Sequence, residues 1–149
     1  MYCVEIRLKK GLFDAFGVDI RCSAADMGFA QVSRVRVYDV YRLTGDIDRP
    51  LVEMIARRLF LDCVSQEMRV FRRSPRGKTE FIVEVWMKPG VTDSVAQTAL
   101  KGIKDLGITT EIAVHCGKKY RIAGDLSSTQ IDMMCRKIRR KNLQRIWNC

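Results

Sequence analysis

Apolar and polar residues alternate in VEIRL at positions 4–8, so Val4, Ile6 and Leu8 share one face and the stretch predicts a half-buried strand. The same alternation returns in VEVWM at 83–87, through Val83, Val85 and Met87. KKGLFD at 9–14 and KPGVTD at 88–93 then turn the chain. Gly11 and Gly90 stand where such a turn can use positive φ, and Asp14 and Asp93 where a helix wants an N-cap. Phe16, Ile20, Ala24 and Met27 follow at helical spacing, as do Val95, Ala99, Ile103 and Leu106, predicting two amphipathic helices with these stripes inward. Gly28 and Gly107 come just after the last stripe residues, a C-terminal cap position.

Two strands are expected next in each half. VSRVRVYD (32–39) and EIAVHCGK (111–118) are read as pairing across a short connection with VYRLTGD (40–46) and KYRIAGD (119–125). In these, Tyr41 alternates with Leu43 and Tyr120 with Ile122, so both tyrosines are expected to pack inward. Gly45-Asp46 and Gly124-Asp125 leave the strand, and the two aspartates read as turn and cap residues. Asp48 with Pro50 starts one second helix, and the capping-box spacing Ser127 to Gln130 starts the other. Val52, Ile55 and Leu59, then Ile131, Met134 and Ile138, are the buried positions of these helices. Last strands are expected at QEMRVF (66–71) and QRIWN (144–148).

These parallels obey one offset. Sliding the chain by 79 lays Val4-Glu5 on Val83-Glu84, Gly11 on Gly90, Asp14 on Asp93, Gly28 on Gly107, Tyr41-Arg42 on Tyr120-Arg121, Gly45-Asp46 on Gly124-Asp125 and Met54 on Met133, with no gap. The chain therefore reads as a tandem duplication: repeat 1 at 1–71, a basic linker at 72–79, and repeat 2 at 80–149, whose last strand is cut short. The expected class is α+β, each repeat a ferredoxin-like β-α-β-β-α-β unit. About 70 residues is a marginal size for independent stability, so the two repeats are expected to pack as an intramolecular pseudo-dimer.

Charge sharpens this picture. Residues 1–70 hold 11 basic and 10 acidic side chains, a net of +1, whereas 71–149 hold 16 and 7, a net of +9. The excess sits in RRSPRGK (72–78) and RKIRRK (136–141), and such runs suit an acidic partner or simply a solvated surface. No apolar run approaches the roughly 18–20 residues of a membrane span, so no membrane association is expected.

The chemistry that residues alone propose is sparse. The six cysteines form no C-x-x-C pair, and the only histidine, His115, is the neighbour of Cys116, so the two point to opposite faces of a strand. The expectation is reduced thiols at core positions in a cytoplasmic protein, no metal site, and no catalytic residue. GKKYR at 117–121 lacks the spacing of a phosphate loop, and the strands lack the paired aromatics of RNA-binding ferredoxin-like domains.

The run VEVWMKPGVTDSVAQTALKGIKDLGI, then GKKYRIAGD, then a helix carrying MMCRKI, resembles the small PurS subunit of phosphoribosylformylglycinamidine (FGAM) synthase. It is also similar to the tandem PurS-type N-terminal region of some fused PurL chains. The resemblance covers both repeats and is strongest in KPGVTD (88–93), DLG (105–107) and GKKY (117–120). Ser94 replaces a proline frequent in the family, and repeat 1 has Tyr38-Asp39-Val40 where repeat 2 has Gly117-Lys118-Lys119. The resemblance implies a non-catalytic part of an ATP- and glutamine-dependent ligase of purine synthesis, holding the synthetase domain to the glutaminase so that ammonia reaches the substrate. ATP and Mg would belong to the partner synthetase, with no cofactor in this chain. It points to Gly117, Lys118, Lys119, Arg121 and Arg42 as partner-binding residues, and further oligomerisation is compatible with it. Two other readings are a paired small-molecule-sensing regulatory domain and a basic nucleic-acid-binding protein, though nucleic acid is not the expected partner.

Overall fold

The structure is a computed structural model that describes residues 1–72, 80–87, 91–141 and 145–148, with side chains through residue 136. Almost all of the expected linker 72–79, together with Gly90 and the side chain of Ile138, lies outside the described residues. The elements run β1 (Tyr2–Leu8), α1 (Ala15–Asp26), β2 (Val32–Gly45), α2 (Arg49–Ile55), a π-helical turn (Ala56–Phe60), β3 (Gln66–Phe71), β4 (Phe81–Met87), α3 (Ser94–Asp105), β5 (Ile112–Gly124), α4 (Ser128–Lys141) and β6 (Arg145–Asn148). The class is α+β, and the strand order is β3-β1-β2-β5-β4-β6. Pairing is antiparallel where β1 meets β2 and β3 and where β4 meets β6.

One expectation is corrected here. No hairpin divides residues 32–45 or 112–124: each stretch is a single long strand. Tight hairpins take their hand from residues with positive φ, and the only such residue in either stretch is Gly45, at the end of β2. Tyr38-Asp39-Val40 offers no turn residue, and Gly117, which could turn, stays out of the positive-φ region.

Because the strands run straight on, the compact units cut across the sequence repeats. Unit 1 comprises Met1–Leu12, Tyr38–Pro75 and Thr92–Gly117; unit 2 comprises Phe13–Val37, Arg76–Val91 and Lys118–Cys149. Unit 1 thus has β1, the second part of β2, α2 and β3 from repeat 1, and α3 with the first part of β5 from repeat 2. Its strands follow the order β3-β1-β2-β5, a ferredoxin-like sheet in which the fourth strand, and one helix, come from the other repeat. Unit 2 is built reciprocally: β4, β6, α4 and the second part of β5 are completed by α1 and the first part of β2.

Each core confirms the exchange. In unit 1, Tyr2, Val4, Ile6, Leu43, Val52, Ile55, Ala56 and Val70 of repeat 1 cluster with Ala96, Ala99, Ile103, Ile112 and Val114 of repeat 2. In unit 2, Val83, Ile122, Ile131, Met134 and Cys135 cluster with Ala24, Phe29, Val32 and Val35. The register follows from alternation: Val4 lies opposite Tyr41 on one side and Val70 on the other, so its side chain falls in the row facing the helices.

The first helices sit where they do because of one aspartate each. Asp14 Oδ1 accepts from the Gly17 N–H at 2.8 Å while Oδ2 accepts from the Val37 N–H at 3.1 Å. Asp93 does the same with Ala96 (3.0 Å) and Cys116 (3.1 Å), every position shifted by 79. One carboxylate both caps the helix and fastens it to the strand that follows. Asp14→Ala or Asp93→Ala therefore loses a cap and leaves a strand N–H without its acceptor, a cost of about 1–3 kcal/mol each. The check is chemical denaturation, with the conservative Asp→Asn expected to recover only part of the loss.

This anchoring also corrects the stripe. Phe16 and Val95 do not face inward; they are exposed. Gly17 and Ala96, one position later, are buried instead. A Cβ built on Gly17 would lie 2.4 Å from the Val35 carbonyl, so the helix approaches the strand at a distance only glycine allows. The remaining caps follow the sequence: Asp48 accepts from Leu51 N–H at 2.9 Å, and Ser127 and Gln130 exchange both capping-box bonds, at 3.2 and 2.8 Å. Asp46 and Asp125 occupy the bends before these caps.

Candidate functional site

The residues singled out as partner contacts lie on β5 and, for Arg42, on β2. Within β5, Gly117 is the last residue that belongs to unit 1 and Lys118 the first that belongs to unit 2, so the GKKY motif spans that change. Tyr41 and Tyr120 point to the helix side as expected, Tyr41 stacked on Phe60 with ring centroids 4.1 Å apart and planes 6° apart.

The basic residues divide by direction. Lys119 is 1% exposed, and its ammonium lies 3.7 Å from the Glu84 carboxylate. The other oxygen of that carboxylate accepts from the Trp86 indole N–H at 3.1 Å. Arg121 Nε is 3.6 Å from Glu80 Oε2, while Arg34 donates to Glu80 Oε1 at 2.9 Å. Lys119 and Arg121 therefore belong to a carboxylate–cation row internal to unit 2, alternating with the core residue Ile122. As a partner contact, Lys119 is corrected: burial and its carboxylate hold it inside. Arg42 is half-buried on β2 opposite Cys3. Lys118 goes the other way, its ammonium 6.0 Å from the centroid of the Phe16 ring.

Phe16 is 74% exposed and Phe13 is 75% exposed, and Lys118 lies near the Phe16 ring. Sequence reasoning missed both rings because Phe16 fits a helical stripe by spacing. The signal that could have found them is Gly17: a glycine inside a helix marks the closest approach to a neighbour and so fixes which face is inward.

A half-buried thiol and a half-buried phenol lie in unit 1. Burial, then the negative charges of Asp93 and Asp39, pushes the Cys116 thiol up to about 12, and burial with Asp39 does the same for the Tyr41 phenol, also to about 12. Both groups stay neutral at physiological pH, so Cys116 is no nucleophile there. Cys22 and Cys63 are exposed, against the expectation of core thiols, and Cys135 is buried as expected. Iodoacetamide at pH 8 is expected to label Cys22 and Cys63 within minutes and to spare Cys116 in the folded protein, read by peptide mass spectrometry. Because both folded-state values exceed the unfolded ones, the stability they contribute is present below about pH 8.5 and is lost as pH rises towards 12.

His115 is an exposed residue of β5. Among the described residues no group of three or more His, Cys, Asp or Glu side chains is placed to hold a metal ion. No helix among them is long and apolar enough to cross a membrane.

No protein-family model and no curated protein matches the chain. Among solved structures, B. subtilis PurS in its C2 crystal form aligns with 48% of this chain and 96% of its own, at 26% identity and a TM-score of 0.41.

Proposed function

We propose that this chain is a PurS-type assembly subunit, or region, of FGAM synthase: a non-catalytic element of purine synthesis that holds the synthetase to the glutaminase. The observation that carries the reading is the order and spacing of KPGVTD, DLG and GKKY within repeat 2. Physical roles can be given to these motifs. The aspartate of KPGVTD fastens α3 to β5. The glycine of DLG, at φ +77°, ends α3. GKKY places Tyr120 against the core on one face of β5, buries Lys119 beside Glu84 on the other, and leaves Lys118 near Phe16.

In this reading the tandem repeats stand in for two chains of a homodimer, ATP and Mg act in the synthetase, and the assembly works in the cytoplasm. Gly117 and Lys118 are the partner-facing part of the motif. Neutralising Lys119 would remove the cation beside the Glu84 carboxylate, and neutralising Arg121 would leave Glu80 with Arg34, so changes at either residue disturb unit 2 itself and Lys118 is the residue to vary. Size-exclusion chromatography of the chain with the purified synthetase and glutaminase subunits tests the proposal. Co-elution of all three is expected; elution of the chain by itself from both, with each subunit folded, would remove the purine assignment.

A further inference from the structure

β3 (Gln66–Phe71) stands at one end of the sheet order, so among the described strands it pairs on one side only, with β1. The register from Cys3↔Phe71 to Leu8↔Gln66 advances one for one, without a bulge, and the strand holds neither proline nor lysine. Bulges, prolines and lysines are what keep sheet edges from pairing, and a regular edge that lacks them is a template for another strand. The next rung of the ladder fixes the phase of this edge. The Lys9 N–H donates to the Ser65 carbonyl at 2.9 Å. Backbone groups of an antiparallel strand alternate between its two sides, so residues 67, 69 and 71 turn theirs towards β1, and 66, 68 and 70 turn theirs outward. Gln66 agrees with this phase, since its N–H donates to the Asp62 carbonyl at 2.8 Å and not to β1. The outer edge therefore offers the carbonyls of Gln66, Met68 and Val70 and the N–H groups of Met68 and Val70.

We infer that β3 docks antiparallel against β3 of a second copy of this chain, centred on Met68. That register lets Met68 exchange both backbone bonds with its own counterpart and brings each Val70 N–H to the other copy's Gln66 carbonyl, so the outward groups match. Charge selects this occupant. Glu67 and Arg69 share the face opposite the buried Val70. β1 already sets Arg7 opposite Glu67, as an ion pair, and Glu5 opposite Arg69. In the proposed register Glu67 of each copy meets Arg69 of the other. Charges across the joined strands then alternate in sign: Arg7, Glu67, the other copy's Arg69, the other copy's Glu5. The neighbouring registers that keep the outward groups in phase set Glu67 against Glu67 or Arg69 against Arg69, which like-charge repulsion disfavours. Arg69 is exposed, and Glu67 is 43% exposed with Arg7 on Oε1, so its carboxylate has a second oxygen to offer. β6, the strand at the other end of the sheet order, has Ile146 and Asn148 at the positions 79 residues on from Glu67 and Arg69, so the self-complementary pattern belongs to β3. The inference stands apart from the purine assignment.

Sedimentation equilibrium of the full chain over a dilution series tests this, and a monomer–dimer equilibrium is expected. Arg69→Glu and Glu67→Lys each set like charges opposite one another on both sides of the centre, and each is expected to weaken dimerisation about tenfold or more. An equimolar mixture of the two variants opposes unlike charges again and is expected to dimerise, a rescue that a merely structural effect of either change would not produce. Amide exchange gives a reading that needs no variant. The Met68 and Val70 amides should slow as wild-type concentration rises, while those of Glu67 and Arg69, turned towards β1, should not change. A wild type that stays monomeric at every concentration overturns the inference. So does a dimer that both variants leave at wild-type affinity, or a mixture of the folded variants that fails to recover it. Protection of Met68 and Val70 only when purified synthetase or glutaminase is added overturns the choice of a second copy as occupant.

Discussion

Residues 1–71 expressed alone do not give a folded monomer, nor do residues 80–149; mixed, the two halves fold together in a one-to-one complex. This expectation follows from the exchange of segments. Without repeat 2, unit 1 loses α3 and one strand, including Ile103, Ile112 and Val114, each no more than 8% exposed. At about 1.5–3 kcal/mol for each large buried side chain, those three account for roughly 5–9 kcal/mol, as much as a small domain's whole stability. Without repeat 1, unit 2 loses Phe29, Val32 and Val35 in the same way. A half on its own is left with its own α1 or α3 bound to nothing, so it remains unfolded or pairs with a second copy of itself. Circular dichroism and light scattering on each half and on the mixture check this. A cooperatively unfolding monomer from either half would show that a repeat is self-sufficient.

Gly45→Ala and Gly124→Ala are the most damaging conservative substitutions expected. A Cβ on Gly45 would stand 2.4 Å from the Glu111 carbonyl oxygen, and one on Gly124 2.3 Å from that of Gln31. Those obstacles are backbone, within unit 1 and unit 2 respectively, and cannot rotate aside. Gly45 also has φ of +146°, which alanine rarely adopts, so it is the worse of the two. Each change is expected to cost at least about 2–3 kcal/mol, or roughly 5–10 °C in Tm for a chain of this size. A shift under about 2 °C for both would show that the strands separate easily at these points.

Much of this was legible in the residues. The capping aspartates, the capping box and the last strand of repeat 1 appeared where spacing placed them, because each depends on side chains within four positions or on strict alternation. What spacing could not show was the partner of a strand. VSRVRVYDVYRLTG keeps one alternation through Val35, Val37, Tyr41 and Leu43, all odd positions, so its pattern is that of one continuous strand. Such a stretch is read as two strands when each repeat is assumed to fold by itself, but here one strand serves two cores, with Val32 and Val35 in one and Leu43 in the other. The second role of Asp14, its bond to Val37, was invisible for the same reason: 23 residues separate the pair. Lys119 was misread because its carboxylate lies 35 residues earlier on another strand. Phe16 was assigned inward because a stripe's period does not fix its direction, and only the tight contact at Gly17 does.

The proposed assembly role separates two activities that a catalytic role would not. Reconstituted synthetase and glutaminase should form FGAM from glutamine only when this chain is added, while formation from free ammonia by the synthetase should proceed without it. Measuring both rates with and without the chain is the most direct test. A rise in the glutamine-dependent rate alone is the predicted result, and glutamine-dependent formation that is equally fast without the chain would contradict the account.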